Sequence, residues 1–258
     1  MTSPMVSTSG ATTTTGGDAD GNAGAGAAGA GARIEAVADD LARASLALAR
    51  RFSLGGTMWC ASPAWPFHAH HVAVEFVHPV IVGKRALAAV TVPAGADLVT
   101  TLRASVRPGD MVVVLADHDD ATVTDALRRG PAWGTETVWI GAGRTRPPAG
   151  SADHVIWLDT DDALEASEQF VRVYHLLWEL THVCFEHSGL LKAEQLCTDD
   201  VCITCSDEGR LAEVVTVEGD EAVVRAEGKQ ERIDVSLIDP PGPGDLVLVH
   251  AGFAIGAS

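Results

Sequence analysis

The chain has 258 residues, 47% of them hydrophobic, which is enough for one large or two modest packed domains. Its formal net charge of −17 argues against a nucleic-acid groove or an anionic membrane surface, because both require clustered Lys and Arg. The sequence lacks a run of about 18 apolar residues and a secretory signal, so we expect no membrane span and a cytoplasmic protein.

Residues 1–32 consist almost entirely of Ala, Gly, Thr, Ser and Asp. This composition buries too little apolar area to offset chain entropy, so we predict a disordered tail. The chain also contains five cysteines, an odd number without an export signal, which favours reduced thiols over a disulfide framework. They are Cys60, Cys184, Cys197, Cys202 and Cys205.

Residues 33–197 alternate between helical and strand-like segments. An amphipathic helix is predicted from residue 33, in "RIEAVADDLARASLALARRF". Continuous apolar runs predict strands covered on both faces, at 56–60, 86–92, 110–116, 136–143 and 154–159. Helical segments between several of them, including one over 121–133, indicate a three-layer α/β domain with a parallel sheet. A long helix ending at Gly189 completes the pattern.

Residues 198–258 have a different pattern, with short alternating segments separated by turn signals. These segments, at 209–219, 221–228, 231–239 and 245–255, predict a small antiparallel all-β barrel, similar to an OB fold. Between Asp199 and Asp245 there are 13 acidic and 4 basic residues, so this region carries a charge of about −9. We therefore expect two separate domains.

Two cysteines, Cys202 and Cys205, form a CxxC motif ahead of the barrel. Two thiols supply only half of a tetrahedral zinc site, and no second pair follows downstream. A redox dithiol is expected at the start of a helix, whereas a strand follows here. A single working thiol and small buried hydrophobic residues remain as alternatives.

The C-terminal sequence resembles the HypC/HupF family of [NiFe]-hydrogenase maturation chaperones. The resemblance rests on Cys202, on the hairpin "VEGDEAV" at 217–223 and on "GDLVLVHAGFAI" at 244–255. It implies that the Cys202 thiolate, together with a HypD-type partner, holds an iron carrying cyanide and carbon monoxide. That unit is then delivered to the hydrogenase large subunit.

The resemblance also gives His250 a role as a second iron ligand or as a hydrogen-bond partner of the thiol, with a structural histidine as the alternative. Cys205 receives no role. In the family the cysteine directly follows the initiator Met, whereas Cys202 follows Val201 within the chain, so no α-amine takes part.

The α/β region resembles the SIS domain of sedoheptulose-7-phosphate (phosphoheptose) isomerases. The matching segments are "HHVAVEFVHPVIVGKRALAAVTV" at 70–92, "RPGDMVVVLA" at 107–116 and "VYHLLWEL" at 173–180. The family's two phosphate loops are altered here, to "ASPAW" at 61–65 and "DHDD" at 117–120. Because carboxylates repel phosphate, we do not expect a phosphosugar ligand.

Three residues of the isomerase chemistry are kept. His71 and Glu75 are four apart on a predicted helix and therefore share a face, and His175 matches a histidine of the closing helix. The resemblance implies a zinc site formed by this trio, with a fourth ligand near Ser167 or Glu168. In an isomerase, Glu75 and His175 would be the catalytic residues. Retention for packing or dimerisation alone is the alternative.

The sequence leaves three alternative functions. The first is a maturation chaperone, not an enzyme, whose SIS-like half is a dimerising or docking module. The second is a metal-dependent isomerase with a regulatory barrel, and the third is a sensor of an uncharged small molecule. The altered phosphate loops favour the first, and the SIS resemblance implies a homodimer.

Overall fold

The computed structural model describes residues 34–117, 120–191 and 209–257. The predicted tail and the cysteines at 197, 202 and 205 lie outside these ranges. Residues 34–191 form an α/β unit, and residues 209–257 form a barrel. Among the described helices, none combines the length and apolarity needed to cross a membrane.

The α/β unit is built on five parallel strands in the order β2-β1-β3-β4-β5. The strands are β1 (Met58–Ala61), β2 (Ala89–Thr91), β3 (Met111–Leu115), β4 (Glu136–Ala142) and β5 (His154–Leu158). The helices are α1 (Ala38–Ser53), α2 (Pro66–Val77), α3 (Leu98–Ser105), α4 (Ala121–Arg128), α5 (Gly130–Trp133), α6 (Ala163–Glu186) and α7 (Ser188–Leu191).

The helices cover both faces of the sheet, which confirms the predicted three-layer α/β architecture. All five residues of β3 are buried, and alternate side chains point to opposite faces. Met111, Val113 and Leu115 pack into the core under α1, α2 and α6. Val112 and Val114 pack into the core under α3, α4 and α5. A strand buried on both faces explains its unbroken apolar sequence.

One predicted helix is divided in the structure. The sequence from 121 to 133 has helical periodicity, but α4 ends at Arg128 and α5 starts at Gly130. Pro131 lacks a backbone N–H, and its ring clashes with the carbonyl of the preceding turn, so a continuous helix is disfavoured. Gly134, with a φ of 75°, then ends α5 in the left-handed conformation.

The C-terminal residues form a closed five-stranded barrel in the order β10-β8-β7-β6-β9. Its strands are β6 (Arg210–Glu218), β7 (Glu221–Ala226), β8 (Lys229–Asp234), β9 (Leu246–His250) and β10 (Phe253–Ala257). All neighbouring pairs are antiparallel except β8 and β10, which close the barrel through a parallel pairing of Asp234 with Phe253. The predicted small all-β barrel is confirmed.

The predicted segment 245–255 forms two strands instead of one. Ala251 and Gly252 have positive φ angles of 49° and 85° and make a two-residue turn between β9 and β10. His250 therefore lies directly opposite Phe253 across the hairpin. The alternating pattern continues on both sides of the turn, which hides the break in the sequence.

Candidate functional site

A pocket of about 290 Å³ lies at the carboxyl ends of the parallel strands, where open α/β sheets bind ligands. Its wall includes Trp65 after β1, Asp117 after β3 and Arg144 after β4, together with Asp161 and Asp162 after β5. Arg144 forms an ion pair with Asp161. The pocket thus has three carboxylates and one guanidinium, a lining that disfavours an anionic ligand.

Two helix N-termini at this edge already hold carboxylates of the chain itself. The Asp120 side chain accepts hydrogen bonds from the backbone N–H groups of Thr122 and Val123, at 3.0 and 3.2 Å. Asp162 accepts from those of Leu164 and Glu165, at 2.9 and 3.0 Å. A phosphate would have to displace these caps to use the same N–H groups. This geometry agrees with the expectation that a phosphosugar is not the ligand.

The trio His71, Glu75 and His175 is brought together on the facing sides of α2 and α6. His71 Nε2 lies 3.2 Å from Glu75 Oε1 and 3.4 Å from His175 Nε2. His175 Nε2 lies 3.3 Å from Glu75 Oε1. The side chains of His71 and His175 are 41% and 44% exposed, and that of Glu75 is 19% exposed. One side of the cluster therefore opens to solvent.

These distances fit a tetrahedral metal ion. Zinc bonds of about 2.0–2.1 Å put the ligand atoms of a tetrahedron about 3.3–3.4 Å apart. The three atoms of the trio match three corners of such a tetrahedron, and the open side leaves a fourth position for water or substrate. His71, Glu75 and His175 would hold the ion, which would act as a Lewis acid toward a carbonyl oxygen.

A tyrosine orients His71. The hydroxyl of Tyr174, a residue buried in α6, lies 2.6 Å from His71 Nδ1. Burial, followed by the charge of Glu75, raises the pKa of Tyr174 to about 12, so the hydroxyl stays neutral. If His71 held a metal through Nε2, Nδ1 would carry the ring proton and donate a hydrogen bond to this hydroxyl. Such a contact fixes the tautomer and direction of a metal-binding histidine.

The expected fourth ligand does not join the trio. Ser167 Oγ instead contacts His68 Nε2 at 3.0 Å. Glu168 is exposed, and the trio is the whole group found among the residues that the structure describes. His68 is fully buried, and burial together with the neighbouring His71 lowers its pKa to about 4, so it is neutral at pH 7.

In the barrel, His250 lies at the end of β9 and is partly exposed. Arg210, the first residue of β6, pairs with Val249, so the chain enters the barrel beside His250. Cys202 and Cys205 lie outside the described residues, and their roles remain predictions. Cys60 and Cys184 are free and buried, and burial raises the pKa of both thiols, which makes them poor nucleophiles.

A buried ionic cluster joins the two halves of the molecule. Glu213 of β6 is 3% exposed, and its carboxylate accepts hydrogen bonds from Arg103 Nε at 2.9 Å, Arg129 Nη1 at 2.8 Å and Trp133 Nε1 at 3.0 Å. Burial raises the pKa of Glu213, but the bonds from Arg103 and Trp133 outweigh that effect and leave the pKa below its ordinary value.

Sequence reasoning missed both Tyr174 and this cluster. Tyr174 directly precedes His175, and its spacing of three from Val171 and four from Phe170 is that of an ordinary core residue. Glu213 occupies an alternating strand, where an acidic residue normally faces solvent. No local signal distinguishes it, because its three partners lie 80 to 110 residues away.

The two halves of the chain are similar to different known proteins. Residues 211–257 match the model of the HupF/HypC family. This match confirms the resemblance of the barrel, and it covers less than half of the chain. No curated protein sequence matches the chain.

The α/β unit is similar to solved sugar isomerase structures. A phosphoheptose isomerase from Francisella tularensis superposes with a TM-score of 0.54 and 12% identity, over 63% of this chain and 95% of that one. A phosphoheptose isomerase from Neisseria gonorrhoeae superposes with a TM-score of 0.49 and 15% identity, over 62% of this chain and 92% of that one. The sugar isomerase domain of an RpiR transcription factor from Sphaerobacter thermophilus has a TM-score of 0.45 and 16% identity, over 66% of this chain and 93% of that one. The superposition on the Francisella tularensis enzyme confirms the predicted SIS-like fold. At 12% identity it shows a similarity of fold and nothing about activity.

Proposed function

We propose that the protein is a [NiFe]-hydrogenase maturation factor whose barrel carries iron with cyanide and carbon monoxide ligands. The observation that carries the proposal is the match of residues 211–257 to the HupF/HypC family, which supports a role in hydrogenase maturation in general. The matched residues span nearly the whole described barrel and include the hairpin that presents His250.

Cys202 supplies the iron-binding thiolate in this proposal. Thiolate is a soft ligand of the kind that suits low-spin iron with strong-field partners. Cys202 precedes Arg210 by eight positions in the sequence, and Arg210 enters the barrel next to the end of β9. This arrangement supports His250 as the second ligand or as the hydrogen-bond partner of the thiol.

The partners are a HypD-type maturation protein, which shares the iron, and the hydrogenase large subunit, which receives it. The α/β unit serves as a dimerising or docking module. Apolar side chains on and after α2 are exposed to solvent, which supports a protein contact there: Phe67, Val74, Val80, Ile81 and Val82. Sedimentation equilibrium that shows only monomer at micromolar concentration would contradict a homodimer through this surface.

Infrared spectroscopy tests the iron-carrying role. The protein is expressed with its HypD-type partner and purified without oxygen, and cyanide and carbon monoxide bands are measured. We expect bands in wild type and in Cys205→Ala, and none in Cys202→Ala, because one thiol holds the iron. Cys205→Ala is the matched control, three positions away in the same segment. Equal loss in both variants would contradict a single working thiol.

A second candidate is a metal-dependent isomerase, or a small-molecule sensor, in the α/β unit. The tetrahedral spacing of His71, Glu75 and His175 favours it, with Glu75 and His175 as the catalytic residues of an isomerase. We expect wild type to bind about one zinc per chain and His175→Ala to bind much less, by elemental analysis after dialysis. His70→Ala, on the neighbouring exposed position, is the control. Equal zinc in all three proteins would eliminate the site.

A further inference from the structure

A cleft of about 340 Å³ lies between the α/β unit and the barrel, away from the pocket at the sheet edge and from the histidine cluster. The α/β unit contributes its wall from the end of α3 and the loop that follows. The barrel contributes the β7–β8 hairpin. Residues from both sides line the cleft: Arg103, Val106, Pro108, Arg225, Gly228 and Gln230. Clefts between two units of a chain are common ligand sites.

Arg225 faces this cleft without a partner among the residues that the structure describes. It lies directly opposite Glu213 in the β6–β7 pair, on the same face. Opposite charges in that position usually form a cross-strand ion pair. Here the Glu213 carboxylate is occupied by Arg103, Arg129 and Trp133 of the α/β unit. The Glu213 carboxylate is therefore not available to Arg225, and no other residue in the described part of the chain takes its place.

The cleft therefore has an excess of positive charge in a strongly acidic protein. Arg103, through Nε and Nη2, and Arg129 bind the carboxylate of Glu213, and Arg225 lies opposite Glu213 on the neighbouring strand. Asp125 pairs with Arg129 from α4, and its side chain is 47% exposed. Arg103 remains 35% exposed, so its guanidinium is accessible from solvent. Within the described ranges, the lining of the cleft itself has two guanidiniums and no carboxylate, in a chain that carries −17 as a whole.

We propose that this cleft binds a small phosphate-bearing molecule, with the phosphate held by Arg103 of the α/β unit and Arg225 of the barrel. A guanidinium presents a planar fork of donors that matches a phosphate, and two of them suit a group with close to two negative charges. Gln230 adds an amide donor, and Val106 and Pro108 form an apolar wall for an organic portion. Because the ligand touches both units, its binding stabilises their mutual arrangement.

Isothermal titration of the full chain with inorganic phosphate and with AMP tests the site. We expect Arg225→Gln to weaken the binding of either probe by at least about tenfold, since a charge-assisted hydrogen bond is lost. Arg232→Gln is the matched control, on the adjacent strand β8 at a 71% exposed position, and we expect less than about a twofold change there. Equal affinity for the two probes would identify phosphate as the whole recognition element. Tighter binding of AMP than of phosphate would show that the cleft also recognises the organic portion of its ligand.

Four results would contradict the proposal. The first is no binding of either probe at millimolar concentration. The second is equal weakening in Arg225→Gln and Arg232→Gln, which would indicate general charge attraction. The third is equal competition by acetate, which would assign the cleft to carboxylates. Arg225→Lys keeps the charge without the planar fork, so full binding by this variant would also contradict bidentate recognition, and its folding can be verified by thermal melting.

Discussion

Gly228 lies at a close contact between the backbones of the barrel and the α/β unit. It occupies the β7–β8 turn with a φ of 75°, and its N–H donates to the Ala132 carbonyl at 2.9 Å. A Cβ at this position would lie 2.2 Å from Pro108 Cγ and 3.0 Å from the Trp133 carbonyl oxygen. Gly228→Ala therefore forces the hairpin away from the α/β unit.

Gly219→Ala provides the matched control for this variant. Gly219 occupies the β6–β7 turn with a φ of 64°, but a Cβ there would have no neighbour within 4 Å. Both substitutions place a non-glycine residue in the left-handed region, at a cost of about 1–2 kcal/mol. Gly228→Ala adds the steric clash with Pro108, and overpacking of this kind costs about another 1–3 kcal/mol.

The difference between the two variants can be measured in urea. We expect the free energy of unfolding to fall further for Gly228→Ala than for Gly219→Ala by about 1–3 kcal/mol. Small-angle scattering of the folded proteins should also show a larger radius of gyration for Gly228→Ala alone. Equal stability and equal size of the two variants would refute a close interface between the barrel and the α/β unit.

Two further predictions concern the buried contacts. Because the pKa of Glu213 lies below its ordinary value of 4.5 in the folded state, its stabilising effect is complete above pH 4.5 and is lost as the pH falls below it. The melting temperature of Glu213→Gln should fall less steeply than that of wild type as the pH is lowered. Glu221→Gln, at a 68% exposed position, should keep the wild-type pH dependence. For the histidine cluster, Tyr174→Phe should weaken zinc binding by about 10- to 100-fold in competition titrations, because His71 loses its orienting contact. An unchanged zinc affinity would leave Tyr174 as a packing residue only.

Charged side chains are distributed unevenly over the α/β unit. The carboxyl edge of the sheet, where open α/β sheets bind ligands, is lined by Asp117, Asp161 and Asp162. At the contact with the barrel, two arginines of the α/β unit, Arg103 and Arg129, bind the carboxylate of Glu213. These two arginines connect the α/β unit to the barrel through one buried carboxylate.

Much of the local structure could be predicted because it depends on neighbours in the sequence. The Asp caps at 97, 120 and 162 bind N–H groups two or three residues ahead, and each begins a helix. His71 and Glu75 share a face of α2 because they are four residues apart. The broken helix at 128–130 and the divided strand at 250–253 were missed, since in both cases the periodicity continues across the break.

The sequence by itself determined the alternation of strands and helices, the small barrel and two members of the histidine cluster, because these follow from backbone periods and contacts within a few residues. The SIS resemblance implied His175, about a hundred residues away, as the third member, and only the tertiary structure decided the distances at which it completes the cluster. The tertiary structure also decided that Glu213 binds three groups of the other unit, so that Arg225 has no partner among the described residues. Such contacts depend on how packed layers bring distant residues together, and no spacing in the chain encodes that distance.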